Sequence, residues 1–373
     1  PDASYCNALT KLSMNTPYRP TTSDKELGFV VAALGNDELT YEKKHEFNFG
    51  VDAGFFNNRL NVTFDVYQRR NFDEIAPTVT QLYGTAYANV GSMKSWGEEL
   101  SISSTNVKTN DFSWQTSLIY SHNRTEITDL YNQGRVIDLV QGNGFAKQGY
   151  PARALFSIPF VGINEKGNPV CINEKGQATV GDLNFQERDN TDYLIYEGST
   201  DPIYNGSLGN TFNYKGFHLN LFLTYAFGNV VRLDPVFKAK YNDLTSMTHD
   251  FKNRWMQPGD ENVTNVPGVV SRYEYEQNRT LLSTAYNAYN YTSVRTAKGD
   301  FIRLKEISLA YDFPHRWLEN SPVNNISLKL QATNLMLLYA DKKLNGQDPE
   351  FMNAGGVASP MPKQFTLTLK LGL

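Results

Sequence analysis

The residues best suited to binding chemistry gather in one stretch, RYEYEQNRTLLSTAYNAYNYTSVR, from Arg272 to Arg295. Tyr286, Tyr289 and Tyr291 are flanked there by Asn287 and Asn290, and flat rings beside amide donors suit stacking on sugar faces or gripping a peptide backbone. The competing reading has these tyrosines packing long loops together or meeting a second protein. Arg254 and Trp255, within NRWMQPGDE, join them as ligand candidates, although they also sit where a folded loop needs an anchor. Covalent chemistry has no comparable set. His45, His122, His218, His249 and His315 are scattered, and no G-x-S-x-G, H-E-x-x-H or phosphate-binding loop occurs. No catalytic residue, metal ligand or cofactor is assigned on that basis. GDLNFQERDNTD (Gly181 to Asp192) spaces Asp182, Glu187, Asp189 and Asp192 with the acidity of a calcium loop but without the ordered D-x-[DN]-x-[DN]-G, so it reads as a solvated acidic loop. NEKG occurs at Asn164 and again at Asn173 and reads as two turns rather than a structural repeat.

The composition narrows the classes. The net charge of -4 offers no basic stripe, which makes nucleic acid an unsuitable partner. Mean hydropathy is -0.46 and no apolar run reaches the length of a membrane helix. Aromatic residues make up 13% of the chain, a richness that membrane-interface belts and sugar-binding surfaces both use. Cys6 and Cys171 stand in no metal-binding spacing; one disulfide and two separate thiols are both open readings.

The elements that must position these groups announce themselves by alternation. In NGSLGNTFNYKGFHLNLFLTYAFGN, Asn205 to Asn229, Leu208, Phe212, Tyr214, Phe217, Leu219, Leu221, Leu223, Tyr225 and Phe227 form one set. Asn205, Ser207, Thr211, Asn213, His218, Asn220, Thr224 and Ala226 form the other, with Gly206, Asn210 and Phe222 as exceptions. That is a hairpin of two strands, each apolar on one face and polar on the other, with Lys215-Gly216 as its turn. Phe47 to Phe55 and Leu60 to Val66 repeat the pattern, as do Trp96 to Ile102, Phe112 to Tyr120, Ile326 to Leu330 and Phe365 to Leu373. In GDFIRLKEISLAYDF the apolar parity switches between Leu304 and Ile307, which predicts a bulge at Lys305-Glu306. About nine antiparallel strands result, each near the length of about 9–11 residues that crosses a bilayer.

The connections alternate between short and long. Tight turns fall near Asn57, Lys108 and Lys215, with a moderate one between Pro314 and Pro322. Longer connections run from Phe72 to Lys94, Arg124 to Pro202, Val230 to Lys298 and Leu335 to Pro362. In an antiparallel meander all the short ones share one rim and all the long ones the other, the asymmetry of an outer-membrane β-barrel with long extracellular loops. Trp96, Tyr120, Tyr204, Tyr225 and Phe365 fall near the long-loop end, and Phe55, Trp114, Tyr214, Phe217 and Phe313 near the other, as two aromatic belts require. Asp52, Asp65, Glu99, Asn220, Lys329 and Thr368 all fall on the polar parity and are expected to face a lumen, with the apolar parity facing outer-membrane lipid. An odd number of strands does not close a bacterial barrel, so the chain is expected to be one part of it. Residues 1–42 read as an extracellular loop region and residues 43–373 as the barrel portion.

Four segments then carry a resemblance: AYANVGSMKSWGEELSI (Ala86 to Ile102), YEGSTDPIYNGSLGNTFNYKGF (Tyr196 to Phe217), DFKNRWMQPGDENVTNVPGV (Asp250 to Val269) and SVRTAKGDFIRLKEISLAYDFP (Ser293 to Pro314). With GNDELTYEKKHEFNFGVDAGFFNNRL and QATNLMLLYADKKLNGQDPE, they resemble the C-terminal half of SusC/RagA-type TonB-dependent outer-membrane transporters. The resemblance runs in register from about Leu34 to the end. It implies the last strands of a 22-stranded barrel whose N-terminal plug and TonB-contacting segment lie outside this chain. It also implies a SusD-like surface lipoprotein as partner and allows for a dimer of such pairs. Leu373 departs from the aromatic residue that usually ends barrels of this kind. The function it implies is active import of a bulky nutrient, a glycan oligomer or an oligopeptide, with no covalent chemistry. A passive porin, and a barrel component that has lost uptake, are the alternatives.

Overall fold

The computed structural model describes residues 10–15, 28–33, 35–80, 84–241, 246–319, 322–352 and 362–372. Nine strands form one antiparallel sheet: β1 (Lys43–Phe55), β2 (Leu60–Thr80), β3 (Gly84–Lys108), β4 (Phe112–Leu130), β5 (Tyr204–Tyr214), β6 (Phe217–Phe227), β7 (Phe301–Asp312), β8 (Asn325–Ala340) and β9 (Gln364–Gly372). Each pairs only with its neighbours in sequence, and β1 and β9 are the two edges. This is the antiparallel meander that the alternation predicts. No helix among the described residues is long and apolar enough to cross a membrane, which is silent on crossing by strands.

The hairpin between β5 and β6 shows how sequence sets register. Leu208 lies opposite Leu223, Phe212 opposite Leu219 and Tyr214 opposite Phe217, while Ser207 faces Thr224 and Thr211 faces Asn220. Both turn residues have positive φ, Lys215 at 46° and Gly216 at 85°. That is the handedness a two-residue hairpin requires, and glycine supplies it at the second position without strain.

The three exceptions to alternation each have a local cause. At Gly206 the Tyr225 ring crosses the backbone and its hydroxyl donates to the Ile119 carbonyl at 3.2 Å, in space that a Cβ would occupy. The Oδ1 of Asn210 accepts hydrogen bonds from Trp114 Nε1 at 2.9 Å and Thr116 Oγ1 at 2.8 Å, so its polar group is satisfied on the apolar face. Phe222 lies opposite Gly209, its ring 3.6 Å from where a Cβ at that position would sit. The predicted bulge is present: Phe222 pairs with Glu306 and Leu223 with Leu304, leaving Lys305 unpaired.

One expectation changes. The connection from Phe72 to Lys94 is largely not a loop, because β2 runs on to Thr80 and β3 begins at Gly84; a bulge after Asn71, beside Asp73 at φ 57°, lets the hairpin continue. Within residues 1–42, Lys11–Asn15 pairs antiparallel with Gly28–Ala33, so the region holds a small hairpin; Cys6 and Leu373 lie outside the described residues.

The buried hydrophobic clusters sit in the connections, chiefly the two long ones, and not in the nine-stranded sheet. The first contains α1 (Val136–Val140), a strand pair Ala154–Ser157 with Ile195–Ser199, and a meander Phe160–Ile163, Pro169–Ile172, Ala178–Thr179. The second contains the pair Val230–Arg232 with Thr296–Lys298, and helices α2 (Arg272–Gln277) and α3 (Arg279–Asn290). Val136, Leu139, Val140, Phe156, Ile158, Cys171 and Leu194 of the first pack with Ala288 of the second in one cluster. The long connections therefore fold as a joint body at one rim.

Candidate functional site

The stretch expected to present tyrosines to a ligand is helical, and this corrects its reading as a loop. Ser271 caps α2 by accepting from the Glu274 N–H at 3.2 Å, and in α3 Leu282, Ala285, Tyr286 and Tyr289 fall at helical spacing on one buried stripe. Tyr286 is 1% exposed and donates its hydroxyl to the Gly268 carbonyl at 2.6 Å. Tyr289 is 2% exposed, with its ring edge-on to Phe237 at 5.0 Å. Burial pushes both phenols well above their usual range. Asn290, also buried, accepts from the Phe237 N–H at 3.0 Å and donates to the Phe237 carbonyl at 2.8 Å. These three hold the loop body together and offer no surface to a ligand. Tyr291 is partly buried against Phe185, and Asn287 alone of the set is exposed.

Arg254 and Trp255 are anchors. The Trp255 ring fills the space beside Gly167 and Gly268, where a Cβ would overlap it, and its Nε1 donates to Glu261 at 2.9 Å. Arg254 lies over the Phe251 ring at 4.6 Å and donates to the Phe251 carbonyl. In the acidic loop Glu187 accepts from the N–H groups of Arg188, Asp189 and Asn190, and Asp192 pairs with Lys147 at 3.0 Å. Among the described residues no group of His, Cys, Asp and Glu could hold a metal ion. Each NEKG is a turn in which the asparagine Oδ1 accepts two N–H groups, Lys166 and Asn168 on Asn164, and Lys175 and Gln177 on Asn173. The Cys171 thiol is free and buried, which pushes its pKa up to about 12.

Register places the six polar-parity residues on one face of the sheet. Asp65 lies opposite Glu99, Asp52 opposite Thr63, Asn220 opposite Thr211 and Ser308, and Lys329 opposite Thr368. Where this face meets the loop body, a depression of about 630 Å³ is lined by Asn205, Ser207 and Thr224 of the wall, with Arg153, Lys305 and Glu350 around it. This is the group of residues that sequence reasoning missed.

Its rim is fixed by Arg303, on β7, which is 5% exposed and bonds Asp348 at 2.5 and 2.6 Å and Glu350 at 3.0 Å. That ties the connection after β8 down onto the wall. The available signal was parity: Arg303 falls on the polar side of β7, across the bulge from Ser308. Arg232, also missed, is buried in the loop body. Its guanidinium donates to the carbonyls of Val140, Thr292 and Phe156 and to Ser157 Oγ.

With this geometry in place, comparison with known proteins is informative. The chain is 26% identical over 356 residues to the TonB-dependent receptor SusC of Bacteroides thetaiotaomicron, an alignment covering 91% of this chain and 32% of that protein. It is 25% identical over 381 residues to a TonB-dependent receptor of Formosa agariphila, covering 89% of this chain and 35% of that one. The chain thus spans about a third of the length of the curated relatives it matches. The relatives carry the names of receptors and transporters, not of enzymes. In fold it is similar to the RagAB peptide transporter, with a TM-score of 0.74 and 24% identity over 98% of this chain and 38% of that one. The family described as TonB dependent receptor-like, beta-barrel matches residues 9–234. The chain therefore belongs to the TonB-dependent receptor β-barrel family.

Proposed function

We propose that this chain forms part of the wall and the extracellular loops of a TonB-dependent outer-membrane importer for a bulky nutrient. The polar face, with Asp52, Asp65, Glu99, Asn220, Lys329 and Thr368, lines the lumen, and the apolar face meets lipid. The observation that carries the reading is the joint loop body over one rim, with the polar depression beneath it. A channel left open would not need a cored body at its mouth. Charged groups of both signs around the depression, Arg153, Lys305 and Glu350, suit an oligopeptide with its charged ends better than a neutral glycan. RagAB, similar in fold, is named as a peptide transporter. Energy coupling through TonB belongs to a segment outside this chain, and the partner at the mouth is a SusD-like surface lipoprotein.

Two measurements test this together. A deletion strain is grown on a panel of oligopeptides and glycans, and the transporter is purified under native conditions through this chain. The expected results are lost growth on peptides and recovery of a surface lipoprotein in stoichiometric amount. Unimpaired growth on the whole panel overturns import, and purification without a lipoprotein overturns the lidded form.

A further inference from the structure

The apolar face of β1 to β4 changes character towards the loop end. Following β4 upward on that face gives Trp114, Thr116, Leu118, Tyr120, His122 and then Arg124. The register sets Gln68, Trp96 and Arg124 in one row across β2, β3 and β4. Arg70, Lys94 and Glu126 form the next row, with His45 opposite Arg70. A tilted strand gains about 2.5 Å of height per residue, so Arg124, about a dozen residues above the turn end of β4, stands about 30 Å up. The apolar band of an outer-membrane barrel is about 25 Å tall, which puts both rows at headgroup height on the lipid side.

The charges there do not cancel. Glu126 pairs with Lys94 at 2.9 Å, Asp73 with Lys43 at 2.7 Å and Asp201 with Arg153 at 2.6 Å. Glu98, one row lower, accepts from the Tyr120 hydroxyl at 3.4 Å and lies 3.8 Å from His122. Arg70 and Arg124 are exposed, and among the described residues neither side chain makes a hydrogen bond or ion pair. Two grooves meet at the Trp96 ring. One, of about 590 Å³, is lined by Phe47, Val66, Arg70 and Lys94; the other, of about 420 Å³, by Arg124, Pro151 and Tyr196 together with Glu126 and Asp201, the carboxylates already paired with Lys94 and Arg153. The apolar floor of the first groove, Phe47, Val66 and Trp96, below Arg70 and beside Arg124 across the shared Trp96 ring, is the shape of an amphiphile with an anionic head.

We propose that this flank binds the phosphorylated headgroup of an outer-leaflet lipid, with Arg70 and Arg124 on the phosphate and an acyl chain along Phe47, Val66 and Trp96. The proposal rests on the orientation adopted under Proposed function but not on import. Its test uses the full-length transporter in maltoside micelles, titrated with phosphorylated lipid A and followed by native mass spectrometry. Parallel titrations use the same lipid stripped of phosphate, and inorganic phosphate alone.

Each of Arg70→Gln and Arg124→Gln is expected to weaken lipid binding about fivefold, and the pair about thirtyfold, from the attraction of one basic side chain near an anionic surface. Lys329→Gln, on the opposite face, is expected to leave lipid affinity unchanged. Heat-modifiable migration establishes that each variant is assembled; if the double variant is not, the two single variants decide. Unchanged affinity in both, equal affinity for the stripped lipid, or equal affinity for free phosphate overturns the proposal. Nutrient uptake is read separately, so loss of one reading leaves the other standing.

Discussion

Arg232 holds four oxygens at once, at 3.2, 2.8, 2.6 and 3.1 Å, with no carboxylate in its shell. Burial draws its pKa down to about 10, so it stays charged at neutral pH. The folded value lies below the unfolded one, so stability from this group rises with pH only above about 10 and is flat through the neutral range. Arg232→Met leaves the Val140, Phe156 and Thr292 carbonyls without their donor and is expected to cost the loop body about 3–5 kcal/mol. The check is faster proteolysis within residues 131–300 while the barrel keeps its heat-modifiable migration.

Glu261 gives the opposite sign. Its bond from Trp255 Nε1, then those from backbone N–H groups, hold its carboxyl below the ordinary value of 4.5. That contribution is complete above pH 4.5 and is lost as pH falls through the depressed value. Trp255 emission, isolated by difference against Trp255→Phe, should shift to the red on acidification below that point, and Glu261→Gln should remove the pH dependence.

At the scale of elements, strand faces make the sharpest prediction. Leu221 lies opposite Ile307 and Leu367 opposite Leu330, while Asn220 lies opposite Ser308 and Thr368 opposite Lys329. Arg at Leu221 or Leu367 is expected to reduce assembled barrel by about 2–4 kcal/mol near the midplane, and Arg at Asn220 or Thr368 to leave assembly intact. Equal folding yields, measured by heat-modifiable migration after refolding of the full-length protein, would remove the assignment of faces. These faces were legible in the sequence because an amphipathic strand repeats every two residues and no distant partner is needed to see it. The bulge at Lys305 was legible for the same reason, as a change of parity.

The loop body was not legible. Its cluster joins Val136 and Phe156 to Ala288, residues that no short-range pattern connects, and the stripe Leu282, Ala285, Tyr286, Tyr289 was hidden behind a tyrosine-asparagine run that looks like a binding surface. The Ser271 cap and the helical spacing were the signals that could have found α3. The depression on the polar face escaped because its lining comes from separate parts of the chain, Arg153, Lys305 and Glu350 among them. Only the tertiary fold brings those side chains together.

For the whole molecule, the open sheet sets the terms. β1 pairs only with β2 and β9 only with β8, so among the described residues each has one side of its backbone unpaired along its length. Water satisfies such groups in solution, but in hydrocarbon each unsatisfied N–H or C=O costs several kcal/mol. The apolar face compounds this, since Phe47, Phe49, Leu367 and Leu369 stand more than half exposed beside those edges. Residues 1–373 expressed alone are therefore expected to associate edge to edge instead of forming a discrete barrel. Supplying the rest of a full-length relative's barrel as a separate chain should rescue assembly by pairing both edges at once, if its terminal strands match in register. Monodisperse, heat-modifiable protein obtained from residues 1–373 alone in detergent would mean that nine strands satisfy their own edges. The wall would then have to close in a way that this sheet, with β1 and β9 at opposite ends of its strand order, does not display.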